Sequence, residues 1–133
     1  MKRKKLMAMV LVTVMVLSMF SVTAMAWKTT FSNWTIEKNA TRYTGAVLKT
    51  DTTSAVAGAS KQSCAAGIAY VTYKGVAADY SQATRSLTYS VAMPGFTLTY
   101  NSGYGIVNDS YRLSIHNKNT SAGAVVVSGG FTP

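Results

Sequence analysis

The closing stretch "SYRLSIHNKNTSAGAVVVSGGFTP", residues 110–133, decides the fold of this chain. Apolar and polar side chains alternate through its first part, which is the period of a half-buried β-strand. We therefore expect Tyr111, Leu113 and Ile115 to face the core, and the residues between and after them, including His116, to face solvent. A slip of one residue would bury charged and polar groups instead, so the register of this strand is strongly specified.

The same stretch predicts a second strand. Residues 117–123 have the composition of a turn, and Val125 to Val127 form a continuous apolar run. Such a run is typical of a strand that is buried on both faces near the middle of a sheet. Gly129 and Gly130 would then let the chain bend, and Phe131 would pack its end against the core.

Period-two alternation also occurs upstream, in "RSLTYSVAM" (85–93) and "GFTLTYN" (95–101). Pro94 and Gly95 between them suit the second and third positions of a type II turn, where glycine supplies the required positive φ. The pattern predicts a tight antiparallel hairpin from Leu87 to Tyr100.

A further strand is predicted in "GIAYVTYKG" (67–75), with Ile68 and Tyr70 on one face and Tyr73 on the other. Its neighbour "DTTSAVAGASKQSCAAG" (51–67) is rich in small residues and is too weakly apolar to be assigned as a strand. Residues 76–84 form a second irregular region.

The N-terminal half of the domain is less regular. "WKTTFSNWTIEK" (27–38) changes phase between Phe31 and Trp34, which indicates a β-bulge within a first strand. "RYTGAVLKT" (42–50) is expected to form a second strand. Together these segments predict an all-β chain: one antiparallel β-sandwich of about seven strands, immunoglobulin-like or jelly-roll-like, with a small closed β-barrel as the alternative.

Residues 1–26 have the features of a secretory signal peptide. Four basic residues, Lys2 to Lys5, precede an apolar run from Leu6 to Phe20, and Ala24-Met25-Ala26 supplies a small-residue cleavage site. The run is shorter than the ~20 residues of a permanent membrane helix. We expect a helical leader over 1–26 that is cleaved, and a single secreted domain over 27–133 that has no permanent membrane span. Non-covalent contacts could still hold this domain at the cell surface.

The charged residues limit the classes of function. Thirteen lysines and arginines stand against four acidic residues, and because four of the thirteen lie in the leader, the mature domain carries about +5. The basic residues are scattered singly, unlike the clustered footprint of a nucleic-acid-binding protein. One histidine and one cysteine are too few for a zinc site, and no serine lies in a nucleophile elbow. The sequence therefore predicts a non-enzymatic protein, without catalytic, cofactor or metal residues.

Cys64 is the only cysteine, so no disulfide can form within the chain. Small apolar neighbours favour a buried, inert thiol, and a bridge to another chain is the alternative. The sequence leaves open whether the protein is a monomer or a homo-oligomer.

A surplus of tyrosine points to recognition by contact, because the ring offers apolar area and the hydroxyl offers a hydrogen bond. The tyrosines expected to be exposed are Tyr73, Tyr80 and Tyr104. The expected partner is a cell-wall glycan, an anionic envelope polymer or another surface protein. We expect a small secreted domain that binds at the cell envelope or in the extracellular space. The alternatives are a bacteriocin-like antagonist or toxin, and a structural or adhesive subunit that polymerises by sharing its final strand.

Signal peptidase is predicted to cut after Ala26, because the small-residue site follows directly on the apolar run. Mass spectrometry of the secreted product should then give Trp27 as the first residue. An intact leader or another first residue would contradict this assignment.

Overall fold

The computed structural model describes residues 27–121 and 123–133, and their regular elements are all β-strands. The nine strands are β1 (Thr29–Ile36), β2 (Thr41–Tyr43), β3 (Val47–Leu48), β4 (Ala55–Cys64), β5 (Val71–Ala77), β6 (Leu87–Tyr89), β7 (Phe96–Leu98), β8 (Ser110–Asn117) and β9 (Val125–Thr132). Within this described part of the chain, no helix capable of crossing a bilayer is found. The predicted leader, residues 1–26, lies outside it.

The strands form two antiparallel sheets. One has the order β1-β9-β4-β7, and the other has the order β2-β8-β5-β6, with β3 also pairing with β8. Buried side chains from both sheets form one hydrophobic cluster. The predicted β-sandwich is confirmed, and each sheet keeps its own edge strands instead of closing on itself. The number of strands is nine rather than seven, because residues 42–50 form parts of two short strands and residues 51–67 contain β4.

The order of pairing identifies the topology within the sandwich class. When β2 and β3 are counted as one interrupted strand, the first strand pairs with the last, the second with the seventh, the third with the sixth and the fourth with the fifth. A chain that pairs from its two ends inward in this way and then folds into two sheets is a jelly roll. Of the two sandwich types expected from the sequence, the jelly-roll-like one is formed.

The predicted hairpin from Leu87 to Tyr100 is wrong. β6 pairs with β5, whereas β7 pairs with β4 in the opposite sheet. Gly95 is not among the glycines with positive φ, so the type II turn does not form. The segment instead crosses between the sheets, and Met93 accepts a hydrogen bond of 2.7 Å from the amide of Ala59. Alternation marks where strands are, but it does not identify their partners.

Residues 51–67, whose weakly apolar sequence does not indicate a strand, contain β4. This strand lies between β9 and β7. Its inward residues Ala55, Ala57 and Ala59 are fully buried. Gly58 faces the other side, where an added Cβ would lie 2.3 Å from the carbonyl oxygen of Pro94 and 2.9 Å from the ring of Trp27. The low hydrophobicity of this strand therefore reflects close packing on both of its faces.

The predicted bulge in β1 is confirmed. Phe31 pairs with Gly129 and Trp34 pairs with Val127, so β1 has an additional residue between these two pairs. Asn33 absorbs the irregularity with a φ of 49°. Because of the bulge, Phe31 and Trp34 both turn toward the core, with their ring centroids 5.4 Å apart.

The closing stretch supplies an inner strand to each sheet. Tyr111, Leu113 and Ile115 of β8 are buried as predicted, and β9 lies between β1 and β4 as expected for its valine run. The bend expected at Gly129 and Gly130 does not occur, because β9 continues to Thr132.

Gly130 is needed for a different reason. A Cβ at this position would lie 2.1 Å from the indole ring of Trp27, which rests on the strand there. Trp27 therefore packs directly on the backbone of β9 and β4.

Substitutions of Leu113 and His116 test which side chains of β8 point into the core and which point outward. Leu113→Ala removes a fully buried side chain and should cost about 2–5 kcal/mol of unfolding free energy. His116→Ala, on the outer face, should change it by less than about 0.5 kcal/mol. Urea denaturation of both variants measures this difference, and equal destabilisation would show that the histidine is a core residue.

Candidate functional site

The outer face of the five-stranded sheet carries a continuous set of polar side chains. Arg112, Ser114 and His116 alternate with the core-facing residues of β8 and lie on the outer side of the sheet. Arg112 and His116 are partly exposed there, but Ser114 is fully buried, so its predicted exposure to solvent is wrong. Residues paired across strands share a face of the sheet. Thr72 of β5 pairs with His116, and Lys74 of β5 pairs with Ser114. These five residues form the centre of what we call the polar face.

Edge strands extend the polar face on both sides. β2 contributes Thr41 beside His116 and Tyr43 beside Ser114. On the other side, the hydroxyls of Thr72 and Thr88 share a hydrogen bond of 2.7 Å. The rows of side chains therefore run across four strands.

Two grooves lie on this face. The first has a volume of about 270 Å³ and is lined by Thr41, Tyr43, Thr72, Lys74, Ser86, Ser114 and His116. The second, of about 460 Å³, is lined by Tyr70, Thr88, Ser90 and Lys118. The bridged hydroxyls of Thr72 and Thr88 connect the two grooves.

One end of the polar face is aromatic. Tyr43 and Tyr80 are both exposed and meet edge to face, with ring centroids 4.9 Å apart. The guanidinium of Arg112 lies over the Tyr80 ring at 5.2 Å from its centroid. This contact is a cation–π interaction, which holds the arginine side chain against the surface of the sheet.

Tyr80 has an unusual backbone conformation for an aromatic residue. Its φ is 64°, in the left-handed region that side chains other than glycine, asparagine and aspartate seldom adopt. The turn is fixed by hydrogen bonds from the amide of Tyr80 to the carbonyl of Ala77 and from the amide of Ala77 to the carbonyl of Ser81. Backbone strain of this kind concentrates at functional sites.

Two buried polar groups of the polar face lack partners, and one of them, Ser114, lines the first groove. Ser114 is fully buried, and its Oγ has no hydrogen-bond partner among the described residues. The same holds for Nε of Arg112, two positions earlier on β8. A buried donor without a partner costs about 1–3 kcal/mol, so such groups are rare in folded proteins.

The cations of the polar face are not neutralised by carboxylates. The one ion pair recorded for the described residues joins Lys49 to Asp51 at 3.6 Å, away from this face. Lys74, Arg112 and Lys118 are therefore without an acidic partner in that part of the chain. His116 instead shares a hydrogen bond of 2.9 Å with the Thr41 hydroxyl.

No family model, curated protein or solved structure matches this chain. The polar face is therefore interpreted from its own geometry.

The structure separates the three tyrosines that the sequence singled out. Tyr80 is exposed and lies at the aromatic end of the polar face. Tyr104 is half-buried, packs against the core and donates a hydrogen bond of 3.0 Å to Ser81 Oγ. Tyr73 is fully buried, so its predicted exposure is wrong. A binding role for Tyr80 and Tyr104 stays a prediction.

The faces of β5 are reversed relative to the sequence prediction. Ile68 and Tyr70 precede the strand and are exposed, whereas Val71 and Tyr73 point inward. The Tyr73 hydroxyl donates a 2.6 Å hydrogen bond to Gln62 of the opposite sheet. Its burial raises the pKa of Tyr73.

Gln62 points inward because of an irregularity that the sequence did not reveal. The register of β4 on β9 shifts between Ala59 and Lys61. Before this bulge the odd-numbered residues of β4 point inward, and after it the even-numbered ones do. The side-chain amide of Gln62 therefore points inward, where it donates hydrogen bonds to the carbonyls of Ala69 and Tyr89. The bulge thus places a polar link between the sheets.

Cys64 is half-buried at the end of β4, where it packs against the core. Its burial is thus only partial, whereas the sequence predicted a buried thiol.

A third groove, of about 340 Å³, contains Asp79 and Asp109 at one end of the sandwich. Asp79 accepts hydrogen bonds from the amide and hydroxyl of Ser81, which lower the pKa of its carboxyl group. This is the arrangement of an Asx turn, which here supports the Tyr80 loop. In the described residues, no cluster of three or more potential metal ligands is found there or elsewhere.

Ser114→Ala should leave the unfolding free energy unchanged to within about 0.5 kcal/mol, or raise it, because the lost hydroxyl has no partner in the protein. Thr84 provides the matched control: it is also buried, but its Oγ accepts from the amide of Gly75 and donates to the carbonyl of Arg85. Thr84→Val should cost about 1–3 kcal/mol. Urea denaturation compares the two variants, and a large loss in Ser114→Ala would mean that the hydroxyl is satisfied within the fold.

Proposed function

We propose that the protein is a secreted, non-enzymatic binding domain that contacts its partner at the cell envelope through the polar face. One observation carries the proposal: the buried hydroxyl of Ser114, in the lining of an open groove, has no partner among the described residues, and neither has Nε of Arg112 beside it on β8. A ligand in that groove can supply the missing hydrogen bonds. Jelly rolls serve many functions, so the fold itself does not choose among them.

The surroundings of the groove support recognition by contact. Tyr43 and Tyr80 offer exposed ring surface with few rotatable bonds, which is the kind of side chain that dominates binding energies. Hydroxyls from three different strands lie beside them. The strained backbone at Tyr80 is maintained by the turn around it, which fits a residue whose position matters for function.

The environment of the only histidine favours binding over catalysis. His116 contacts a threonine hydroxyl rather than a carboxylate that could orient it as a base. Asp79, the acidic residue next to Tyr80 in sequence, has an Oδ1 that accepts two hydrogen bonds from Ser81. The polar face therefore offers cations, rings and hydroxyls, and these groups are suited to holding a ligand.

The alternative of strand sharing finds less support. The valine-rich final strand is an inner strand with neighbours on both sides, not an exposed edge. The edge strand β1 is interrupted by its bulge, and β2, β6 and β7 have three residues each. Bulged and short edges are the usual means by which proteins avoid edge-to-edge pairing.

Tyr80→Gly tests the proposed function without endangering the fold, because glycine adopts positive φ freely. The variant should be at least as stable as the parent, yet it should bind about tenfold more weakly to the envelope fraction of the producing cells. Co-sedimentation of the purified secreted protein with that fraction measures binding, and urea denaturation measures stability.

Asn108→Gly is the matched control for this experiment. Asn108 is also exposed and has a φ of 74°, but its amide donates to the carbonyl of Lys49, whereas the Tyr80 ring contacts Tyr43 and Arg112 of the polar face. Its replacement should leave binding unchanged. Equal binding by Tyr80→Gly and the parent protein, or no sedimentation of the parent at all, would refute the proposed function.

A further inference from the structure

We infer that the ligand of the polar face is an anionic polysaccharide, with an acidic group bound between Lys74 and Arg112 and a sugar ring against Tyr43 and Tyr80. The inference rests on the proposed function and adds the chemical class of its ligand.

The anion position follows from the pairing of β5 with β8. Lys74 lies directly across from Ser114, and Arg112 is two residues before Ser114 on the same face. Directly paired side chains have Cβ atoms about 5 Å apart and diagonal ones about 7–8 Å apart. The ammonium of Lys74 and the hydroxyl of Ser114 line the groove, and the guanidinium of Arg112 lies beside it, so a single acidic group placed between them can accept from all three.

The unused hydrogen-bonding capacity lies at the same point. Ser114 Oγ and Arg112 Nε are both unpartnered within the described residues. Bonds from charged donors to an anion are the strong ones, and a guanidinium can bind a carboxylate or phosphate oxygen pair in a fixed geometry. An anion would thus satisfy groups that the fold leaves unpaired.

A sugar polymer fits the remainder of the face. Tyr43 and Tyr80 form a ring surface next to the cationic point, and the threonine hydroxyls that follow offer hydrogen bonds to sugar hydroxyls. Lys118 lies six positions after Arg112 along β8 and its continuation, a distance of about 20 Å at the usual rise of a strand.

The far groove repeats the same combination of groups, because Tyr70 and Lys118 both line it. The first groove, of about 270 Å³, is small for an enclosed ligand and is partly open to solvent. Ligand pockets for small molecules are usually about 300–1,000 Å³. A ring and a cation at each end of an open face therefore suit an extended chain with repeated acidic groups better than a single small molecule.

The test measures affinity for defined polymers by isothermal titration calorimetry with the purified protein. Polygalacturonate supplies sugar carboxylates, phosphomannan supplies sugar phosphates, and fully methyl-esterified polygalacturonate supplies the first polymer without its charge. A single-stranded thymidine oligonucleotide represents a polyanion without a polysaccharide backbone. The affinities are compared at low and physiological salt, since exposed charge interactions are screened.

We expect polygalacturonate or phosphomannan to bind at least about tenfold more tightly than the esterified polymer. The esterified polymer has no charged oxygen that could accept hydrogen bonds from Lys74 and Arg112. The preferred acid identifies the source of the negative charge. Lys74→Gln and Arg112→Gln should each weaken binding by about tenfold, and Ser114→Ala by a smaller factor.

Lys38→Gln is the matched control, because Lys38 is an exposed lysine between β1 and β2 that lines neither groove of the polar face. It removes the same charge and should leave affinity unchanged. Equal weakening by Lys38→Gln and Lys74→Gln would show that only net charge matters and would overturn the inference. Equal affinity for the esterified polymer, or tighter binding of the oligonucleotide, would overturn it as well.

Failure of this inference is distinguishable from failure of the proposed function. If neither acidic polymer binds, but Tyr80→Gly still loses binding to the envelope fraction, the anionic ligand is wrong and the binding face stands. If Tyr80→Gly sediments like the parent protein, the proposed function itself is wrong.

Discussion

The alternation of side chains along β8 is the constraint on which the rest of the structure depends. Its odd-numbered residues from Tyr111 to Ile115 enter the hydrophobic cluster, and its even-numbered residues form the centre of the polar face. Because β8 has neighbours on both sides, its register also fixes which residues of β2 and β5 point outward. One strand thus sets both the core and the candidate site, and a shift of one residue would exchange them.

The sequence was informative wherever a local pattern was sufficient. Alternation placed Leu113 inside, a change of phase located the bulge between Phe31 and Trp34, and a run of valines indicated an inner strand. It failed where the structure depends on contacts between distant residues. β4 has a glycine at position 58, where strands usually have a larger residue, since Trp27 and Pro94 pack against its outer side.

The candidate site also combines features that a local pattern predicts with features that depend on contacts between distant residues. That Arg112 and His116 share a face could be predicted from period two alone, but that Lys74 and Tyr43 lie beside them could not. Both residues pair with Ser114, although Lys74 lies 40 positions and Tyr43 lies 71 positions before it in the sequence. Period two alone predicts the wrong face for Tyr73, because β5 begins only at Val71, after an exposed approach. In the fold Tyr73 points inward, and its hydroxyl donates to Gln62 across the core.

Trp27 packs against Gly58 and Gly130, two residues that lie far from it in the sequence. The indole ring lies on the backbone at Gly130 and Gly58, and a Cβ at either glycine would come within 2.1 or 2.9 Å of ring atoms. A larger residue at 130 is therefore compatible with the fold only if the aromatic residue at 27 is also replaced or moved, whereas at 58 the backbone of Pro94, 2.3 Å from an added Cβ, would have to move as well. In diverged copies of this gene positions 27 and 130 should covary while position 58 stays glycine, and an aromatic residue paired with two strand glycines would be a fingerprint for recognising them.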